Sequence, residues 1–183
     1  MNLLTTPIKG MMVAETARLT DKRGAFARLF CEHDLASVLG GRHIVQINHS
    51  LTRRVGAVRG MHYQHAPHAE MKMVRCLKGK VWDVAVDLRK GSPTFLRWHA
   101  EELSEDNDRM MVIPEGCAHG FQVLEENSEL LYLHTAAYTP ESEGGVCHDD
   151  PALGIYWPLA VTDISGRDRS HPLIAENYSG VIL

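Results

Sequence analysis

A chain of 183 residues with 44% hydrophobic and 23% charged content is long enough to bury a substantial core and has the make-up of a globular protein. Its formal net charge of −4, with basic residues scattered rather than clustered, argues against a nucleic-acid partner. No apolar run approaches the roughly 20 residues that cross a bilayer, and MNLLTTPIKGMMVAET has no basic region followed by a long apolar core, so no membrane role or signal peptide is expected and a cytoplasmic location is.

Proline and glycine punctuate the chain often, and the segments between them are short and alternating, which predicts many short strands in an all-β sandwich or barrel. No repeat, linker or low-complexity stretch divides it, so residues 1–183 are expected to form one domain. Met11 to Leu19 reads as a first strand and Asp21-Lys22-Arg23-Gly24 as a turn. Phe26 to Leu39 is compatible with a helix stopped at Gly40-Gly41. In HIVQINHS, parity puts Gln46, Asn48 and Ser50 on one face with Ile44, while Val45 and Ile47 face the other way. Such a polar face is either solvated or the wall of a pocket, where paired amides suit the edge of a pyrimidine base.

The stretch RGMHYQHAPHAEMKMVRCLKG carries Arg59, His62 and Lys72 around Gly60. Histidine is the side chain most readily poised as a base near neutral pH, and a lysine from a neighbouring strand could hold an oxygen that becomes negative when that base acts. The trio suits proton abstraction next to a carbonyl. Arg59 and His62 have opposite parity, so a bulge at Gly60 is predicted, one that brings both to the same side.

KVWDVAVDLR then puts Trp82, Val84, Val86 and Leu88 on one face and Val81, Asp83, Ala85 and Asp87 on the other, where the two acids either face water or line a polar interior. GSPTF is a turn into LRWHAEEL, SEDNDR another turn, and MMVIPEGCAHGFQVL a strand pair bent at Pro114 and Gly116. ELLYLHTAAY puts Tyr132 and His134 on the face of Leu130; TPESEGGVCHDDP reads as loop, GIYWP as an apolar plug, and the polar tail is expected to wrap over the barrel. The 4 cysteines, Cys31, Cys76, Cys117 and Cys147, form no CxxC, which favours reduced, packed thiols over a disulfide framework or a structural zinc site.

PEGCAHGF contains P-x-G-x-x-H, which resembles the second motif of the cupin superfamily of small jelly-roll barrels. Many cupins bind a metal through three histidines and a glutamate. Here His62, His65 and His68 lack the HxH spacing that puts two imidazoles on one strand face, so no metal is expected from them with Glu70 and His119.

Read together, DKRGAFARLFC, QINHS, VRGMHYQ, MKMVRCLKGKVWDVAVDLRKGSPTF, IPEGCAHGFQVL, LLYLHTAAYTPESEG, DDPALGIYWP and ISGRD resemble, in order, the dTDP-4-dehydrorhamnose 3,5-epimerase family. The resemblance implies a cupin-like jelly-roll barrel with short flanking helices, working without a cofactor on a dTDP-linked 4-keto-6-deoxyhexose. It implies His62 as base, Asp168 as the carboxylate orienting it, Lys72 as the cation at the enolate oxygen and Tyr132 as the acid on the opposite face. Arg23 and Arg59 resemble diphosphate and substrate contacts, Gln46 and Asn48 contacts to thymine, and Tyr138 a residue that stacks on the base. Asp83 and His119 match pocket positions. A homodimer is implied, with Arg23 and Phe26 lent across its interface. Arg28, Ala25 and His148 depart from residues frequent in the family, at the nucleotide and the pocket rim, which leaves the exact sugar open. The alternatives are an epimerase acting at C3 or C5 alone, a metal-dependent cupin, and a non-catalytic sugar-nucleotide binding protein.

Overall fold

In the computed structural model, which describes residues 1–183, two antiparallel sheets face each other. Strand β1 is Asn2–Thr5 and β2 Met12–Glu15; β3, Arg18–Asp21, and β4, Gly24–Ala27, form a separate hairpin. Then follow α1 (Ala36–Leu39), β5 (Gln46–Thr52), β6 (Val58–Gln64), β7 (Lys72–Lys78), β8 (Lys80–Asp87) and β9 (Trp98–Ser104). The chain continues through β10 (Arg109–Ile113), β11 (Cys117–Val123), β12 (Ser128–His134), β13 (Glu143–Gly145) and α2 (Gly166–Arg169). The first sheet has the order β1-β2-β10-β7-β12-β5 and the second β13-β6-β11-β8-β9. This is the cupin-like jelly roll, with its short flanking helices, that the sequence implies.

Strand alternation divides the apolar residues into layers. Val74, Val81, Ala85, Phe121 and Leu130 belong to the core between the sheets. The opposite face of β8, with Val84 and Val86, and Leu88 just past its end pack against the tail through Leu153, Ile155, Trp157 and Val181. Leu35 and Leu39 sit with Met73, Met110 and Leu133 of the first sheet. GIYWP is therefore a cover on the second sheet rather than a plug: Trp82 Nε1 donates to the Tyr156 carbonyl at 3.1 Å.

Several boundaries differ from expectation. The Met11–Leu19 strand is broken between β2 and β3. The helix expected from Phe26 shrinks to Ala36–Leu39, because Phe26 is taken into the hairpin opposite Leu19. Its stop holds: Gly40 caps it with φ 56°. The loop expected over Thr139 to Pro151 contains β13, which pairs with β6 and sets Gly145 opposite His62.

The predicted bulge is present. His62 pairs with His119 but Arg59 with Phe121, so two residues of β6 oppose one of β11, and Gly60 has φ +122°. A Cβ at Gly60 would stand 2.6 Å from Gly120 Cα, so the close approach requires glycine on β6.

Candidate active site

A cavity of about 1000 Å³ opens between the sheets. One wall is β6 and β11, which contribute Arg59, His62 and His119; the other is β7, β12 and β5, which contribute Lys72, Tyr132, His134, Gln46, Asn48 and Ser50. His62 and Tyr132 thus reach one space from opposite sheets. Lys72 is cross-strand from His134, and Tyr132 from Asn48, so these side chains share a face by register.

The polar face of β5 is a pocket wall, which settles one alternative left open by parity. Tyr138 and Asp168 also line the cavity. Arg23 and Phe26 do not: they lie on the exposed hairpin, where Phe26 is 70% exposed. Asp83 is fully buried and does not line the cavity either, because His119 covers it; His119 Nε2 lies 2.7 Å from Asp83 Oδ1. Burial pushes the Asp83 carboxyl above its ordinary pKa, against the pull of His119 and Lys72. Asp87, the second inward acid, serves the turn after β8 instead, accepting from Arg89, Ser92 and Thr94.

His62 is held from a distant part of the chain. Ser165 caps α2, its Oγ accepting from the Asp168 N–H at 3.0 Å, and this aims the buried Asp168 carboxylate at β6. There Oδ2 accepts from the Gly60 N–H at 2.9 Å and Oδ1 stands 2.9 Å from His62 Nε2. Burial opposes the Asp168 charge, but the His62 ring and the Gly60 N–H outweigh it and hold the carboxyl well below its usual range. His62 Nδ1 makes no hydrogen bond. Arg167, bound to Glu143 through two contacts of 3.0 Å, stands 3.4 Å from His62 Nε2. The His171 ring meets His62 edge-on at 5.5 Å, in space where a Cβ at Gly145 would clash.

On the opposite wall the Tyr132 ring stacks on His134 at 6.1 Å and meets His119 edge-on at 5.9 Å. Burial, reinforced by the Asp83 charge, pushes its phenol far above the ordinary value, so it carries its proton at neutral pH. The Lys72 ammonium is buried, 3.0 Å from Glu70 Oε1 and 3.3 Å from the His62 carbonyl oxygen. Sequence reading gave no role to Ser165, Arg167, His171 or the Glu70–His134 pair in this cavity. Ser165 acts through Asp168, three residues on, but the strand they serve is distant in sequence, and so are the partners of the other residues.

The residues of a cupin metal set do not converge. His65 and His68 are exposed, while His62, His119 and Glu70 are each committed to a different partner. The two groups of three metal-ligating side chains within 4.8 Å are His62-Asp168-His171 and Cys147-His148-Asp149; each contains at most one residue of that set.

The family model described as dTDP-4-dehydrorhamnose 3,5-epimerase matches residues 5–176. The dTDP-4-dehydrorhamnose 3,5-epimerase of Salmonella typhimurium is 40% identical over 176 residues, covering 95% of this chain and 96% of that one. A crystal structure of the 3,5-epimerase RmlC from Legionella pneumophila, in complex with dTDP-4-keto-L-rhamnose, superposes with a TM-score of 0.89 at 39% identity, covering 94% of this chain and 92% of that one. ChmJ, a 3'-monoepimerase from Streptomyces bikiniensis solved with dTDP-quinovose, superposes with a TM-score of 0.86 at 31% identity, covering 93% and 86%. With a family match over nearly its whole length and a shared fold, the chain belongs to the dTDP-4-dehydrorhamnose 3,5-epimerase family.

Proposed function

We propose that the protein epimerises a dTDP-linked 4-keto-6-deoxyhexose at C3 and C5 through an enolate, converting dTDP-4-dehydro-6-deoxyglucose to dTDP-4-dehydro-L-rhamnose without a cofactor. One observation carries the proposal: a carboxylate-held imidazole and a protonated phenol enter a single cavity from opposite sheets, with an ammonium beside them. Inversion needs a base on one face of the carbon and an acid on the other, and facing sheets supply that separation.

His62 takes the proton from carbon next to the C4 ketone through Nδ1, since Nε2 is engaged by Asp168. Asp168 favours the imidazolium that results. The electron pair moves into the C4 oxygen, where Lys72 stabilises the enolate, an effect commonly worth about 3 kcal/mol. Tyr132 gives its proton to the other face of the same carbon, and proton exchange with solvent resets both groups. Arg59 and His119 hold the sugar and diphosphate end, Asp83 acts on them through His119, and Gln46, Asn48 and Tyr138 receive the thymine. The likeness to ChmJ supports inversion at one centre as the second reading.

Further parts of the proposal are a homodimer and a cytoplasmic enzyme of one domain, residues 1–183. The β3–β4 hairpin joins neither sheet, and β5 is an edge strand with its Ile47 61% exposed and Val45, just before it, 60%. Hairpin and edge together suit docking onto a second copy, which would carry Arg23 and Phe26 to the neighbour's cavity. All cysteines are free, in keeping with a reducing compartment.

Proton NMR of the protein with dTDP-4-keto-6-deoxyglucose in deuterated buffer tests the reaction. Deuterium at C3 and C5 with inverted product is expected; deuterium at one centre selects the single-site alternative, and none refutes the proposal. His62→Ala should abolish exchange while leaving dTDP binding within about threefold.

A further inference from the structure

Glu70 and His134 are the buried titratable groups of the cavity for which the proposed chemistry has no use. Glu70 is 9% exposed and His134 7%. They meet because Glu70 lies two residues before Lys72, on the same face, while His134 is the register partner of Lys72 on β12. Glu70 Oε2 lies 2.7 Å from His134 Nδ1, and Glu70 Oε1 3.0 Å from Lys72 Nζ. Burial works against the Glu70 charge, but the His134 hydrogen bond and Lys72 overcome it and keep the carboxyl below its ordinary pKa.

The chain of contacts continues at both ends. Asn48 Nδ2 lies 3.3 Å from His134 Nε2, Gln46 Nε2 donates to Asn48 Oδ1 at 3.2 Å, and the Tyr138 N–H donates to Gln46 Oε1 at 2.9 Å. Asn48 can only donate to that ring nitrogen, which makes Nε2 the acceptor and leaves the proton on Nδ1, aimed at Glu70. At the other end Lys72 Nζ donates to the His62 carbonyl oxygen at 3.3 Å. An ammonium has three N–H donors, so with Glu70 and His62 taking two, one remains for an oxygen in the cavity. A lysine head on a four-carbon stem is otherwise free to swing, and Glu70 removes that freedom.

We infer that Glu70 and His134 are positioning residues: Glu70 fixes the Lys72 ammonium at the enolate oxygen, His134 fixes Glu70, and the amides of Gln46 and Asn48 lock His134. The role given to Lys72 rests on the epimerase proposal above. His134 also tempers the carboxylate. An unshared negative charge 3.0 Å from Lys72 would offset the field that stabilises the enolate, and donation from His134 Nδ1–H draws part of it away. The network thereby joins the wall proposed to hold the thymine to the cation that acts on the sugar.

Glu70→Gln, His134→Leu and His134→Asn test the inference through kcat, KM, dTDP affinity by calorimetry and thermal unfolding, beside wild type. Glu70→Gln removes the charge and retains the shape; a 10- to 100-fold lower kcat is expected, with KM and dTDP affinity within about threefold. His134→Leu should lower kcat about 10-fold and add nothing to Glu70→Gln in the double variant, because both break one link. His134→Asn places an amide N–H where Nδ1–H stands and should restore kcat to within about threefold of wild type. A wild-type kcat in both Glu70→Gln and His134→Leu overturns the inference alone. Parallel losses of kcat, dTDP affinity and unfolding temperature in each folded variant, unrescued by asparagine, also overturn it by marking a general structural role. A wild-type protein that exchanges no deuterium fails the epimerase proposal itself, and this inference with it.

Discussion

Replacing Asp168 with asparagine tests the base through the group that holds it. The carboxylate faces two donors at once, the Gly60 N–H and His62 Nε2, each at 2.9 Å. Asparagine offers one oxygen and one NH2. With its oxygen on Gly60, the amide N–H meets His62 Nε2 and moves the ring proton to Nδ1, the nitrogen that must be empty to act as a base. With its oxygen on His62, two buried N–H donors oppose each other at Gly60, which costs about 1–3 kcal/mol of stability. The charge favouring the imidazolium is lost in either arrangement. Breaking a carboxylate–imidazole pair this way lowers kcat by about 10⁴ in the serine protease triad. Asp168→Asn is therefore expected to reduce deuterium incorporation by roughly 10²–10⁴-fold, measured by NMR, with dTDP affinity nearly unchanged. Exchange within about threefold of wild type would refute the role of Asp168.

The same pair has a signature in stability. The folded pKa of Asp168 lies below the unfolded value of about 3.9, so its contribution is fully present above that value and disappears as pH falls toward the folded one. In urea titrations the gap between wild type and Asp168→Asn should close on acidification from about pH 5 toward pH 2. A gap that widens in that direction would contradict the sign of the shift.

Two further outcomes are expected. Gly60→Ala forces a Cβ to within 2.7 Å of the His119 carbonyl oxygen in a left-handed conformation, and should destabilise the fold by roughly 3 kcal/mol in urea unfolding; an unchanged midpoint would count against the bulge. Phe26→Asp should shift the protein toward monomer in sedimentation velocity and weaken dTDP binding about 10-fold, whereas a wild-type protein that sediments as a monomer would sink the lent-residue arrangement.

Much of the cavity wall was legible in the sequence because strands repeat every two residues. Parity alone put Gln46, Asn48 and Ser50 on a common face, and the mismatch between Arg59 and His62 required a bulge that only Gly60 could accept. Local pattern failed where a distant partner decided the outcome. Phe26 sits in a run that tolerates helix, but pairing with Leu19 made it a strand. Gly144 and Gly145 look like loop residues, yet their missing side chains leave room for the rings of Tyr63 and His171 beside β13. Asp83 and Asp87 have identical parity and different fates, one capped by His119 and the other tied into a turn by Arg89. Glu70 and His134 are separated by 64 positions, and only the register of β7 with β12 brings them together.

Separating proton removal from proton return is the most direct test of a base and an acid on opposing sheets. Tyr132→Phe, incubated with dTDP-4-keto-6-deoxyglucose in deuterated buffer and followed by NMR, isolates the two events. Substrate deuterium should accumulate through His62 while inverted product falls by about 10²-fold or more. Inverted product formed at the wild-type rate would contradict the account.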